Sequence, residues 1–458
     1  MARLVLVSNR LADPRKTAAG GLAVALGDAL VRQGGMWFGW SGNLLADGQA
    51  QNSAPRTRQA GKVLLATVDL SRQDHDSHYL GFSNGVLWPV FHYRLDLARF
   101  EANYITGYRR VNQLFARQLQ TLLRPDDIIW VHDYHLIPLA AELRALGCRN
   151  RIGFFLHIPM PPPLIFAAIA QHAWLMQCFF AYDLAGFQTE ADLQHFTRYA
   201  ITEGGARELD DGRLFAAGRT LKAGAFPIGI DVDGFTALAQ SREARDMYER
   251  IHRDYSRRRL LLGVERLDYS KGLPQRLKAF RQLLQSYPEN LGSATLIQIA
   301  SPSREALDSY TDLRQELESL SGAINGDFGE LDWMPVRYMH RNVARKRLPG
   351  LYRVVRVALV TPLRDGMNLV AKEFVAAQDP ADPGVLVLSR FAGAAAQLKE
   401  ALLVNPYDVQ GTAESIQQAL QMPLGERQQR HQQLLQGIRQ QDVHWWQERF
   451  LAALDNTA

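Results

Sequence analysis
Arg266 and Lys271 are the cations best placed to do chemistry in this chain. They stand in Glu265-Arg266-Leu267-Asp268-Tyr269-Ser270-Lys271-Gly272, after the apolar run 260–264 and before a helical pattern opening at Leu273. Loops at the carboxyl ends of strands are where open α/β sheets bind ligands. A guanidinium fork beside a lysine point charge suits a diphosphate better than a single carboxylate. A second segment, Leu359-Val360-Thr361-Pro362-Leu363-Arg364-Asp365-Gly366-Met367-Asn368-Leu369-Val370-Ala371-Lys372-Glu373, reads as a strand, a polar loop and a helix opening at Asn368. Backbone N–H groups converge on an anion at such a place. Glu373 would repel phosphate, but it can accept two hydrogen bonds from a sugar diol. A third loop, after the run 295–300, carries Arg304. Any one of these segments also fits an ordinary strand–loop–helix connection, and any one arginine a solvated surface group. Their shared position at strand ends points to a nucleotide-sugar site.

The amino-terminal half has strand-end loops of its own. Ser8-Asn9-Arg10 follows the run 4–7 and offers Arg10 to a phosphate; Gly20-Gly21 then opens a helix at Leu22. His157 ends the run 152–156, just before Pro159-Met160-Pro161-Pro162-Pro163. That proline run forbids a helix and fixes an extended turn. Trp40, Tyr79 and Trp88 are expected in extended, turn-rich segments, where aromatic faces suit sugar rings; burial in the core is their commoner use.

Other patterns carry less. Gly81-Phe82-Ser83-Asn84-Gly85 matches a hydrolase nucleophile elbow, which requires a strand before it and a helix after it. A polar stretch and an aromatic, extended-looking stretch flank it instead. Asp74-His75-Asp76 and Asp231-Val232-Asp233 match a short metal pattern without supporting ligands. In His132-Asp133-Tyr134-His135 the side chains should diverge where strand gives way to loop. Neither a metal site nor a cofactor is expected.

The elements that must hold these residues alternate throughout. Apolar runs at 4–7, 127–131, 152–156 and 184–187 read as buried parallel strands, as do 260–264, 295–299, 356–360 and 385–388. Helical patterns separate them, which predicts an α/β fold with parallel sheets covered on both faces. So many strands argue for two sheets. Residues 1–227 and 228–440 are expected to be two domains, divided at Pro227-Ile228-Gly229, with an amphipathic end at 441–458. The Gln-rich stretch 417–439 reads as one surface helix; 43–61 and 203–220 read as variable loops. The 458 residues are 47% hydrophobic and 22% charged, with a net charge of +5. Charged usage is near the ordinary value of about 25%, which excludes a disordered chain. No dense basic run with interleaved aromatics suggests nucleic acid. No apolar stretch approaches the roughly 20 residues of a membrane span. Cys148 and Cys178 have no metal or redox spacing, so reduced thiols and a cytoplasmic location are expected.

Seven motifs in order resemble those of trehalose-6-phosphate synthases. They are Ser8-Asn9-Arg10, Gly20-Gly21-Leu22-Ala23, Trp37-Phe38-Gly39-Trp40-Ser41-Gly42, Trp130-Val131-His132-Asp133-Tyr134-His135-Leu136, Gly153-Phe154-Phe155-Leu156-His157-Ile158-Pro159, Val264 through Gly272, and Arg364-Asp365-Gly366-Met367-Asn368-Leu369-Val370. The resemblance implies a GT-B fold of two Rossmann-like domains, the first binding acceptor and the second nucleotide sugar, with the last helix returning to the first. It implies trehalose biosynthesis and osmoprotection: glucose passes, with retention, from a nucleotide diphosphate to glucose 6-phosphate. Arg266, Lys271, His157 and Asp365 would be catalytic. Gly21, Gly366, Met367, Asn368, Leu369, Val370 and Glu373 would join Arg266, Lys271 and Asp365 in binding donor. Arg10, Tyr79, Trp88, Asp133 and Arg304 would bind acceptor. A relative with another acceptor, such as a glucosylglycerol-phosphate synthase or a pseudo-glycosyltransferase, and a non-catalytic sugar-phosphate sensor are the alternatives. Donor base and oligomeric state stay open.

Overall fold
A computed structural model describes residues 2–11, 27, 30, 34–46, 54–304 and 307–457. Two compact units divide the chain: Met1–Pro227 with His444–Ala458, and Ile228–Val443.

Among the described residues, the first unit contains a ten-stranded sheet. Its strands are β1 (Leu4–Arg10), β2 (Gly35–Leu44), β3 (Arg56–Ala60), β4 (Val63–Leu70), β5 (Ile128–His132), β6 (Arg151–Phe155), β7 (Leu184–Phe187), β8 (Arg207–Glu208), β9 (Leu214–Ala216) and β10 (Arg219–Ala225), in the order β3-β4-β2-β1-β5-β6-β7-β10-β9-β8. The central pairs are parallel. The outer pairs β3–β4, β9–β10 and β8–β9 are antiparallel. Parallel central strands are covered on both faces and therefore read as continuous apolar runs. The antiparallel strands β3 and β8 are short and polar, and β9 has only three residues. For that reason the sequence pattern read them as loops: β3 lies within 43–61, and β8, β9 and the start of β10 lie within 203–220.

The second unit holds a six-stranded sheet: β11 (Arg259–Arg266), β12 (Ala294–Ser301), β13 (Val336–Met339), β14 (Val357–Val360), β15 (Val385–Ser389) and β16 (Leu402–Val404). Its order is β13-β12-β11-β14-β15-β16, and every described pair is parallel. The stretch 417–439 is not one helix. Val409–Gln421 and Leu424–Gln440 are separate helices, with extended Met422 and Pro423 between them. Proline excludes its predecessor from helical backbone, which breaks the pattern there.

The carboxyl-terminal helix Val443–Asp455 completes the core of the first unit. Trp446 and Phe450 lie 4.8 and 4.5 Å from the Trp130 ring on β5. Gly153 on β6 and Gly186 on β7 leave room for the Phe450 ring; an added Cβ would stand 2.8 and 2.7 Å from it. Phe450→Ala should therefore destabilise this unit by about 3–5 kcal/mol, the usual cost of emptying a buried aromatic site. Urea unfolding followed by tryptophan fluorescence measures it, since Trp130 and Trp446 line the resulting hole; an unchanged midpoint would contradict the packing described.

Candidate active site
In the second unit, sheet geometry brings three loops together at one end of the strands. β11 ends at Arg266, whose side chain is about half exposed. The chain then passes through buried Asp268, whose Oδ1 accepts from the Ser270 amide at 3.0 Å. The short turn Tyr269–Lys271 ends at Gly272, left-handed at φ 65. A Cβ there would press on the Thr361 carbonyl, so this position needs glycine for both reasons.

The loop after β14 is stitched to that turn. The Leu363 and Arg364 amides both donate to the Ser270 carbonyl, at 2.8 and 3.3 Å. Lys271 Nζ forms an ion pair with Asp365, and both side chains are largely buried. Asp365 Oδ2 also accepts from Asn368 Nδ2 at 3.0 Å. Asn368 sits in the left-handed region at φ 73 and begins the helix Leu369–Ala377. First-turn amides, including those of Leu369 and Val370, have no intrahelical acceptor, so an anion can meet them. Gly366 and Met367 precede them; the Ala394 amide donates to the Met367 carbonyl at 2.8 Å, which anchors the loop from a third side.

Beneath this surface lies a charged layer that sequence reasoning missed. Buried Glu265 faces buried Arg276 at 3.5 Å. Arg276 also donates to Thr361 Oγ1 at 3.0 Å and Gln298 Oε1 at 3.1 Å. Burial raises the Glu265 pKa, opposed by Lys271 and Arg276. The available signal was a charged or amide residue inside an otherwise apolar strand, as at Gln298. Glu373 is buried four residues into its helix, with Arg345 at 3.7 Å. Burial pushes its carboxyl up to about 7, against the pull of Arg345 and the Tyr352 hydroxyl.

Arg304 follows β12, left-handed at φ 47, and is nearly buried. Its Nη1 donates to Asp268 Oδ2 at 3.3 Å and to the Tyr310 hydroxyl at 2.8 Å. Arg304 thus shares a carboxylate with Arg266, whose Nη2 lies 3.9 Å from the same oxygen.

In the first unit, the residues at the carboxyl ends of β1, β2, β5 and β6 form a continuous aromatic rim. The Arg10 guanidinium lies 5.5 Å from the Trp40 ring centre. Trp40 meets Tyr79 at 6.1 Å, and Tyr79 stacks on His135 at 5.9 Å. Tyr134 links His135 to Trp88, at 3.9 and 5.8 Å. Asp133 is left-handed at φ 78, and its Oδ1 accepts from the His157 amide at 3.2 Å. His157 Nε2 and His132 Nδ1 are 3.1 Å apart and share one hydrogen. Burial lowers His157 to about 3 and His132 well below its ordinary value, with each ring near the other. Both imidazoles are therefore neutral at physiological pH.

Two expectations need correction, and one falls outside the structure. Tyr79 and Trp88 are not in extended segments: Tyr79 lies in the π-helix His75–Leu87 and Trp88 opens the helix Trp88–Phe91. Gly81, from the elbow-like pattern, lets this helix approach Tyr104, since a Cβ there would stand 2.5 Å from its ring. Packing against Ala102–Gln120 overrides the glycine's local preference. Gly21 and the loop leading to it lie outside the described residues. The short acidic patterns have structural uses, since Asp74 pairs with Arg110 and Asp231 caps Val232–Ala239. No cluster of three metal-ligating side chains occurs among the described residues. A cavity of about 520 Å³ sits by the opposite ends of β11 and β14, near Tyr248, His252 and Arg259, and includes none of the predicted residues.

Residues 7–456 match the profile of glycosyltransferase family 20. The chain belongs to that family. A family relative, the trehalose-6-phosphate synthase of Sinorhizobium fredii (strain NBRC 101917 / NGR234), is 48% identical over 455 residues, 98% of each chain. The crystal structure of an α,α-trehalose-phosphate synthase (UDP-forming) from Burkholderia vietnamiensis has a TM-score of 0.96 at 49% identity, covering 100% of this chain and 97% of that one. Another, from Burkholderia xenovorans in complex with glucose-6-phosphate, has a TM-score of 0.95 at 49% identity, covering 99% and 100%. In GT-B terms these likenesses match the two parallel-sheet units found here.

The position of Glu373 has a consequence for stability. Its folded pKa of about 7 stands above the 4.5 of an ordinary carboxyl. A raised carboxyl favours the fold below pH 4.5, and that contribution is lost as pH rises through 7. Glu373→Gln should therefore gain stability over the native chain between pH 5 and pH 8, by on the order of 2 kcal/mol. Urea unfolding of the ligand-free proteins at both pH values measures this; a difference independent of pH would show that Glu373 is not destabilised by its burial.

Proposed function
We propose that this chain transfers glucose from UDP-glucose to glucose 6-phosphate, releasing UDP and forming α,α-trehalose 6-phosphate with retention at the donor anomeric carbon. The observation that carries the reading is the convergence of Arg266, the Lys271–Asp365 pair, the first turn of Leu369–Ala377 and Glu373 on one end of a parallel sheet. That set offers cations and free amides to a diphosphate and a carboxylate to a ribose diol. Relatives that are UDP-forming, one of them solved with glucose-6-phosphate, support the choice of both substrates.

On this reading Arg266, Lys271, Asp365 and Glu373 hold the donor, and Arg10, Tyr79, Trp88 and Asp133 bind the acceptor sugar. Arg304 takes the acceptor phosphate. Arg266 and Lys271 stabilise negative charge as it builds on the leaving diphosphate, in the role a metal ion has elsewhere. His157, held neutral by burial, meets the transferred sugar as a hydrogen-bonding group and carries no charge to it. Double displacement needs a carboxylate nucleophile below the anomeric carbon. Asp365 already has Lys271 and Asn368 on one oxygen, which lowers its nucleophilicity. We therefore favour front-face transfer, in which the leaving phosphate takes the proton of the attacking hydroxyl. No helix among the described residues is long and apolar enough to cross a membrane, and we place the reaction in the cytoplasm.

Arg266→Ala and Lys271→Ala should each lose at least about 2 kcal/mol of transition-state stabilisation. Steady-state kinetics with thermal melts as a folding control decide this; native turnover in either variant would remove the diphosphate assignment. Nucleoside diphosphate release, measured across uridine, adenosine and guanosine glucose donors with glucose 6-phosphate or glycerol 3-phosphate, tests the reaction itself. We expect the uridine donor with glucose 6-phosphate to lead and activity to persist in excess chelator. Preference for glycerol 3-phosphate would transfer the chain to a different acceptor class, and rescue of chelated enzyme by magnesium would replace the two-cation account.

A further inference from the structure
Asp268 is a carboxylate with no solvent exposure, and both of its oxygens are committed. Oδ1 accepts from the Ser270 amide at 3.0 Å and so shapes the turn that presents Lys271. Oδ2 is shared: Arg304 Nη1 donates to it at 3.3 Å, the Tyr310 hydroxyl at 3.1 Å, and Arg266 Nη2 stands 3.9 Å away. Tyr310 lies near the start of the helix Asp308–Phe328 and its ring packs against Tyr269 at 5.4 Å. Its hydroxyl accepts from Arg304 Nη1 at 2.8 Å while donating to Asp268. Burial, then the nearby carboxylate, raises the Tyr310 pKa, so the hydroxyl keeps the proton that this relay needs.

We propose that Asp268 and Tyr310 are positioning residues that seat Arg304, and that Asp268 joins Arg304, Arg266 and the Lys271 turn into one prearranged cationic group. The proposal rests on the reading of Arg304 as the group that meets the phosphate of glucose 6-phosphate. Two guanidinium groups placed close together repel each other, and a buried carboxylate between them offsets that repulsion. Arg304 has φ 47, a backbone conformation that persists for a non-glycine residue only where the surroundings over-determine it. Its contacts with Tyr310 and Asp268 are part of that determination. A guanidinium held in place before the phosphate arrives loses little side-chain freedom on binding. Donor and acceptor cations also share one anchor, so disturbing Asp268 must affect both, whereas losing the Tyr310 hydroxyl removes a direct bond to Arg304 and leaves the Asp268 carboxylate beside Arg266 and the Ser270 amide.

Tyr310→Phe keeps the buried ring and removes only the hydroxyl. It should raise the KM for glucose 6-phosphate about tenfold, the worth of one hydrogen bond to a charged group, with the donor KM unchanged. Asp268→Asn should raise both KM values. In an Arg304→Ala background Tyr310→Phe should add nothing, because the hydroxyl acts through Arg304. A purely structural hydroxyl would instead impose the same penalty in both backgrounds and lower the melting temperature, which would overturn the proposal, as would an unchanged KM in Tyr310→Phe. Calorimetric titration with glucose 6-phosphate and with UDP separates this test from the proposed function. If the native chain binds glucose 6-phosphate without transferring glucose, the functional reading fails, and weaker binding by Tyr310→Phe still supports the relay. If the native chain binds no glucose 6-phosphate, the relay has no ligand and is wrong.

Discussion
The loop cluster at the candidate site of the second unit depends on the ion pair between Lys271 and Asp365. Both side chains are largely withdrawn from water, and an isolated buried ammonium would cost several kcal/mol. Each charge therefore requires the other, and the requirement binds the loop after β11 to the loop after β14. Asn368 extends the link, touching both Asp365 and Glu265. Glu265 leads to Arg276, and Arg276 to Thr361 and Gln298. A buried polar network of this kind is stable when its members satisfy one another, and it then holds a single geometry. The result is a surface of cations and first-turn amides whose positions are set before any diphosphate arrives.

The two units solve different electrostatic problems. The second gathers charges and pairs them beneath its strand-end loops. The first uses aromatic faces and neutral imidazoles. Buried His132 shares a hydrogen with half-buried His157, and desolvation disfavours an added proton on either ring. Such a rim suits the apolar face and hydroxyl edge of a sugar ring. Its charged members, Arg10 and Asp133, lie at the ends of β1 and β5, where the strands hand over to loops. A non-catalytic sensor would have no need for the paired cations of the second unit, since sugar-phosphate binding alone requires no stabilisation of a leaving diphosphate.

Backbone strain marks the same places. Asp133, Arg304 and Asn368 are three of the non-glycine residues with positive φ; Asp133 and Arg304 follow the ends of β5 and β12, and Asn368 opens the helix after β14. Side-chain hydrogen bonds hold all three: Asp133 to the His157 amide, Arg304 to Asp268 and Tyr310, and Asn368 to Asp365. Strain of about 1–3 kcal/mol per residue persists only with such support. The structure spends stability to orient these groups.

Much of this was legible in the residues alone. Parallel strands buried on both faces leave long apolar runs, so β1, β5, β6, β7, β11, β12, β14 and β15 could be read directly. That Arg266, Lys271 and Asp365 stand in loops after such runs, and Glu373 in the helix that follows, could be read too, because a strand end is visible where an apolar run stops. What depends on contacts distant in sequence was not legible. The polar edge strands β3 and β8 exist because a neighbouring strand offers hydrogen bonds, and nothing in their own composition requires them. The π-helix carrying Tyr79 packs closely on Tyr104 at Gly81, a contact with a residue distant in sequence, although glycine locally favours a turn. Asp268 stands in the loop after β11, and only the fold brought Tyr310 and two arginines to its second carboxylate oxygen. Local pattern determined which segments are buried and which strand ends carry chemistry. Tertiary structure decided which charges share a partner, because that depends on distances between loops that periodicity does not encode.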